Sequence, residues 1–195
     1  MKLGVHPLTP DRLPALAELF HDNRTTSCCW CMYWRIGSAY RNSCETNQTA
    51  FENVVKQGPP PGLLAFIGDI PVGWCQLTPR ATLPYLDKTR QLPRIDDVPV
   101  WSISCFYIRK GFRKRGVTHA LIAKALQVAK RAGAPAVEAY PLDADVTPSS
   151  SFTGYLSTFQ RAGFKIIARP VPSRPIVRYE FSKTPQSPKL RRVTK

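Results

Sequence analysis

The pattern of apolar and polar positions predicts many short elements of both kinds. Residues 4–8 read as a first strand. Thr9 before Pro10 suits a helix start with proline in the first turn. Leu13, Leu16, Ala17 and Phe20 then recur at helical spacing and carry that helix to about His21. Residues 27–37 are rich in cysteine and tryptophan and show no clear period. Residues 49–56 read as another short helix, ended by Gly58 and Pro59-Pro60-Pro61. Two apolar, β-prone runs flank Gly68-Asp69-Ile70-Pro71 and predict a hairpin over 62–77. Residues 78–99 are polar and proline-rich, and a connection of that length is functional or conceals a small helix.

The second half has a stronger pattern. Residues 100–108 form a continuous apolar and aromatic run, the mark of a buried central strand. Val117, Leu121, Ala125 and Val128 share one face of a helix, which Gly133 and Pro135 close. Residues 136–140 predict the next strand. A helix is expected over 149–162, with Phe152, Tyr155, Leu156 and Phe159 inward and Gly163 as its cap. Residues 164–168 and 176–181 read as closing strands. Strands and helices interleave, so the expected fold is a mixed α/β domain over residues 1–181. Residues 182–195 make a basic tail, expected to be flexible.

Composition narrows the class. A chain of 195 residues can bury a full core in one domain. Its 43% hydrophobic content excludes a disordered chain. Six cysteines are too few for a disulfide-stapled miniprotein. No apolar run approaches the length of a membrane span, and residues 1–8 lack the apolar run of a signal peptide. A cytoplasmic location with free thiols is therefore expected. Prolines number 19, roughly twice average usage, which keeps the elements short.

Charge changes the picture more. The net charge is +15, and residues 182–195 hold Lys183, Lys189, Arg191, Arg192 and Lys195 with no acid. Such a field attracts nucleic acid, acidic protein or a phosphorylated small molecule. The segment after the predicted central strand supports the last of these. Arg109, Lys110, Arg113, Lys114 and Arg115 precede Gly116, and a helix opens at once. The free N–H groups at a helix start bind phosphate, and glycine allows close backbone approach.

Here the chain resembles the GNAT superfamily of N-acetyltransferases. The family's Arg/Gln-x-x-Gly-x-Gly/Ala fingerprint reads Arg113-Lys114-Arg115-Gly116-Val117-Thr118, with Thr118 in place of the usual small residue. A second fingerprint, an aromatic residue, three residues, then Gly-Phe, reads Phe159-Gln160-Arg161-Ala162-Gly163-Phe164. The hairpin sequence Pro71-Val72-Gly73-Trp74-Cys75 is also similar to members of the family. The resemblance implies a mostly antiparallel central sheet, splayed between strands 4 and 5, with helices on both faces. It implies acetyl-CoA as donor, its pyrophosphate on the amides of Lys114 to Thr118 beside Arg113. The pantetheine would lie along Phe106, Tyr107 and Ile108, with Phe159 nearby. An amine acceptor would attack the thioester directly.

The resemblance leaves the catalytic groups open. The family often has a tyrosine where this chain has Phe159, so Tyr155, one predicted helical turn earlier, is the candidate acid. Histone-modifying members carry a glutamate where this chain has Ser102, which leaves Glu138 on the next strand as the candidate carboxylate. The segment between the first helix and second strand lines the family's acceptor pocket, so Trp30, Tyr33 and Trp34 are candidate acceptor contacts, suited to a cationic amine.

Cys28 and Cys31 have C-x-x-C spacing, but no second pair completes a zinc site. No metal is expected, and Cys28, Cys29, Cys31 and Cys44 read as small packing thiols with no disulfide expected. A small-molecule acceptor is favoured because residues 78–99 can cover a pocket. Two other readings stand beside the enzyme: a CoA-binding regulator without catalysis, and a basic nucleic-acid or ribosome-associated module. The tail allows non-specific RNA contact. The sequence leaves a homodimer open.

Overall fold

A computed structural model describes residues 2–143 and 148–181. The basic tail, residues 182–195, lies outside the described residues.

Seven strands form one sheet: β1 (Leu3–Pro7), β2 (Gly62–Ile67), β3 (Ile70–Pro79), β4 (Trp101–Ile108), β5 (Ala136–Ala139), β6 (Lys165–Val171) and β7 (Arg174–Glu180). Their order is β1-β2-β3-β4-β5-β7-β6. Every pairing is antiparallel except β4 with β5. The helices are α1 (Leu13–His21), α2 (Arg24–Cys29), α3 (Tyr33–Ile36), α4 (Cys44–Gln57), α5 (Pro84–Lys88), α6 (Val117–Arg131) and α7 (Leu156–Arg161). The expected mixed architecture is present.

Alternation along the strands builds two cores. On β2, Leu63 and Ala65 join the core under α6, while Leu64 joins the one under α1 and α4. On β4, Ile103 and Phe106 share the α6 face although three residues apart. A bulge explains this: Gln76 pairs with Cys105 and Leu77 with Ile103, which leaves Ser104 as the extra residue. The bulge also turns Cys105 and Tyr107 toward the α1 side. A third cluster, including Trp34, Leu86, Tyr140 and Ile176, closes one end of the sheet.

The parallel pair is short. β4 meets β5 at Trp101–Val137, Ser102–Glu138 and Ile103–Ala139, and there β5 ends. Residues 104–108 of β4 continue past it. The two strands part, as the expected splay requires.

Several elements differ from the sequence-based reading. The helix expected over 149–162 is broken. A 3-10 run, Pro148–Thr153, ends at Gly154 with φ +81, and α7 begins only at Leu156. The break has a long-range cause. Leu142 N–H donates to Gly154 C=O, and Leu156 N–H donates to Leu142 C=O, each at 2.8 Å. This parallel bridge holds Tyr155 extended. Leu156 and Phe159 do pack inward, but Tyr155 and Phe152 are exposed. α4 starts five residues before its expected position, because Ser43 Oγ accepts from Thr46 N–H and supports a polar first turn. Residues 78–99 contain a 3-10 turn and α5.

The cysteine segment forms α2 and α3, joined through Trp30 (φ 44) and Cys31 (φ 53) in the left-handed region. Two such non-glycine residues cost roughly 1–2 kcal/mol each, so surrounding packing must hold them. Trp30 is buried among Phe20 and Phe51, and Trp74 Nε1 donates to Cys31 Sγ at 3.1 Å. Cys28 is disulfide-bonded to Cys44, where no disulfide was expected, while Cys29, Cys31, Cys75 and Cys105 are free thiols. The residues lie far apart in sequence, and only the packing of α2 against the start of α4 brings them together.

Candidate active site

Where β4 and β5 part, a cleft of about 1190 Å³ opens. It is lined by the open stretch of β4, the loop into α6 with its first turn, the α2–α3 region, residues 89–92 after α5, the segment from Ser151 into α7, and Arg174.

At one end, β4 runs into the loop before α6. Gly116 caps α6 with φ +78, and a Cβ there would meet nothing within 4 Å. No side chain caps this helix end, and its first turn closes with Ala120 N–H donating to Gly116 C=O at 3.0 Å. The preceding amides are thus presented to the cleft with the positive end of the helix dipole. Arg113, Lys114, Val117, Thr118 and the exposed His119 line this end. Arg113 Nε also donates to Ile108 C=O at 3.3 Å, which ties the loop to the strand. The basic run is not uniform, however. Arg109 is ion-paired to Glu18 at 3.0 Å and Asp22 at 2.6 Å. Arg115 turns away from the lining and stands over the Phe112 ring at 5.6 Å.

In the middle, Cys105, Phe106, Tyr107 and Ile108 supply the wall, with Gly154 and Tyr155 opposite. Phe159 is not part of it. It is fully buried and packs on Phe106 and Phe164, with ring centroids at 6.0 and 5.1 Å.

At the other end, Tyr33 and Trp34 line the cleft. Trp34 is fixed by its Nε1, which donates to the bulged Ser104 C=O at 3.0 Å. Tyr33 packs edge-on to Trp34, Tyr40 and Tyr85, at 4.5, 5.6 and 5.3 Å. Burial raises the Tyr33 hydroxyl pKa, while the guanidinium groups of Arg41 and Arg174 lower it. Trp30 is a core residue, not a cleft residue: it is buried, and its Nε1 donates to Ser27 C=O.

Glu138 also stands elsewhere. It is buried in an ion cluster, with Arg178 Nη2 at 2.6 Å and Arg80 Nη1 at 3.4 Å. Tyr140 Oη donates to its carboxylate at 3.3 Å and is also bonded to Ser102 Oγ at 2.8 Å. Both carboxylate oxygens are occupied, and Glu138 does not line the cleft. Its role is to neutralise buried guanidinium groups.

Among the described residues, the cleft lining contains no aspartate or glutamate. The Cys29 thiol is pushed up to about 11, first by burial and then by the Cys31 sulfur. Burial also raises Tyr107. These groups stay protonated near neutral pH. Among the described residues, no cluster of three or more His, Cys, Asp or Glu is arranged to hold a metal. No helix among them is long and apolar enough to cross a membrane.

Sequence reasoning did not single out Arg41, Cys105, Thr158 or Arg174, all of which line the cleft. Cys105 was readable as part of the central strand. Arg174 carried no local signal, because only the β6–β7 turn brings it here.

The model of the acetyltransferase (GNAT) family matches residues 14–152. Among solved structures, the PaiA N-acetyltransferase of Thermoplasma acidophilum in complex with coenzyme A is 16% identical. The alignment covers 93% of this chain and 100% of that one, with a TM-score of 0.55. An acetyltransferase of Thermus thermophilus is 18% identical over 93% and 98% of the two chains, with a TM-score of 0.54. The Drosophila melanogaster polyamine N-acetyltransferase is 11% identical over 92% and 100%, with a TM-score of 0.58. No curated protein sequence matches this chain. At these identities the solved structures speak for the fold, and the family match covers well over half of the chain. The chain belongs to the GNAT acetyltransferase family.

Proposed function

We propose that this GNAT-family chain is an acetyl-CoA-dependent N-acetyltransferase that passes the acetyl group directly to the amine of a small acceptor. One observation carries the reading. The end of β4, paired with β3 but free on its β5 side, leads through the basic loop into an uncapped, glycine-opened helix start, and both border one cleft. An extended pantetheine can add to the free strand edge as another strand would. The pyrophosphate would take the amides from Lys114 to Thr118, with Arg113 and Lys114 supplying cations. That a solved structure of the same fold contains coenzyme A agrees with this assignment.

In the reaction, the acceptor nitrogen attacks the thioester carbonyl carbon. A β4 backbone N–H in the stretch from Phe106 to Ile108 would stabilise charge on the carbonyl oxygen. The attacking nitrogen, cationic after addition, loses its proton to water, the C–S bond breaks, and the thiolate takes a proton from an acid. Tyr155 is the acid we assign, since its exposed side chain lines the same cleft as Phe106, and water restores its proton. Among the described residues the cleft lining offers no carboxylate base, and in this reading the acceptor's ammonium proton passes to water before attack. Tyr33 and Trp34 hold the acceptor. The test is acetyl-CoA turnover: free CoA thiol should appear only when an amine is present, and mass spectrometry should find the acetylated amine. CoA release that no amine stimulates would refute the reading.

A further inference from the structure

Arg174 opens β7 at the turn from β6 and lines the acceptor end of the cleft. Among the described residues, its guanidinium has one polar contact, 3.4 Å to Thr153 Oγ1, and no carboxylate partner. It is half-buried, and burial lowers its pKa. Three other arginines withdrawn from water are given acids. Arg80 has Asp87 and Glu138, Arg178 has Asp96 and Glu138, and Arg109 has Glu18 and Asp22. Arg35 is also half-buried with no acid among the described residues, donating to Thr82 C=O at 3.2 Å, but unlike Arg174 it does not line the cleft.

Arg41 adds to the field. It is exposed, stands over the Tyr40 ring at 5.5 Å, and has no acid partner among the described residues. Arg41 and Arg174 both act on the Tyr33 hydroxyl. A guanidinium has five donors in a planar fork and no acceptor, so a desolvated one is completed by an anion. The CoA phosphates are not that anion. Arg174 adjoins Tyr33 and Thr153, whereas the phosphate end is built by the loop before α6.

We propose that the acceptor is a small amine that also carries a carboxylate, bound by the Arg174 guanidinium with Arg41 adding charge. This rests on the acetyl-transfer reading above. Tyr33, Trp34 and Phe152 give the rest of the molecule an aromatic wall. The aromatic residues alone would also suit a purely cationic amine, but Arg41 and Arg174, with no acid beside them or in the lining among the described residues, repel one.

The test compares matched amines with and without the carboxylate: β-alanine with propylamine, L-phenylalanine with phenethylamine, and L-tryptophan with tryptamine. Rates are measured at saturating acetyl-CoA and expressed per free amine. The carboxylated member should have roughly tenfold or higher kcat/KM, carried by KM, as expected of a charge-assisted hydrogen bond. Arg174→Gln should erase the preference, and Arg174→Lys should restore part of it. Should Arg174→Gln fail to fold, Arg41→Gln at the exposed site should still reduce the preference. Equal or better use of the decarboxylated amines overturns the inference. So does a chain that acetylates other amines yet accepts no carboxylated one; in that case the acetyl-transfer reading stands. Failure to bind acetyl-CoA at all defeats that reading, and the inference with it.

Discussion

Replacing Glu138 with glutamine separates a structural carboxylate from a chemical one. Glutamine keeps the shape and loses the charge. Glu138 is about 2% exposed and is shared by Arg80 and Arg178, themselves 3% and 6% exposed. Breaking a buried ion pair from one side typically costs about 3–5 kcal/mol, because the remaining charge is left buried. Each arginine keeps a second acid here. Asp87 lies 2.8 Å from Arg80, and Asp96 lies 2.7 Å from Arg178. The low end of the range therefore applies, about 3 kcal/mol. At roughly 2–4 °C per kcal/mol for a chain of this size, the melting temperature should fall by about 6–12 °C. Thermal melts give that number, and steady-state rates well below the transition should change little. A variant that melts within about 2 °C of the parent, yet loses about a hundredfold in kcat/KM, would refute the reasoning. It would place Glu138 in the chemistry.

Three further outcomes follow from the same structure. Tyr155→Phe should lower kcat about 10- to 100-fold with little change in acetyl-CoA affinity, because a general acid contributes in the transition state; a parental kcat would remove Tyr155 from proton transfer. With no carboxylate base in the cleft, kcat/KM should rise with pH until the acceptor's own amine pKa and should move when the acceptor is exchanged. An inflection that stays at one pH for every acceptor would instead reveal an enzyme base. The Arg178 guanidinium beside Asp96 holds its carboxyl below the usual range, so the folded-state pKa is the lower one. Its contribution to stability is present above the unfolded value of about 3.9 and is lost as pH falls through the folded one. The gap in melting temperature between the parent and Asp96→Asn should therefore close in acid, and a gap constant with pH would contradict it.

What was legible in the sequence was local. The strand over 101–108, the loop and α6 follow one another directly, so periodicity, cations and Gly116 could be read together. What was not legible depended on distant partners. The Leu142–Tyr155 bridge breaks the expected helix and turns Tyr155 outward, and helical spacing contains no trace of it. Glu138 looked like a catalytic candidate because Arg80 and Arg178 lie 58 and 40 residues away along the chain. Trp30 and Trp34 looked equivalent. The left-handed Trp30 and Cys31 direct one into the core and the other to the cleft. The Cys28–Cys44 bond likewise depends on packing between two helices that spacing alone does not join.

The central claim is that the cleft binds acetyl-CoA through the start of α6. Calorimetric titration of acetyl-CoA into the parent chain and Gly116→Glu tests it most directly. A Cβ at 116 meets no atom within 4 Å, so a side chain can leave the backbone there without a clash, apart from the strain of φ +78, which Gly116→Ala reproduces without the charge. The parent and Gly116→Ala should bind one acetyl-CoA per chain. A ligand at 100 times its dissociation constant should then stabilise the parent by about 2.7 kcal/mol. Gly116→Glu should show no heat of binding while still melting cooperatively. An absence of binding by the parent, or equal affinity in Gly116→Glu, would contradict the account.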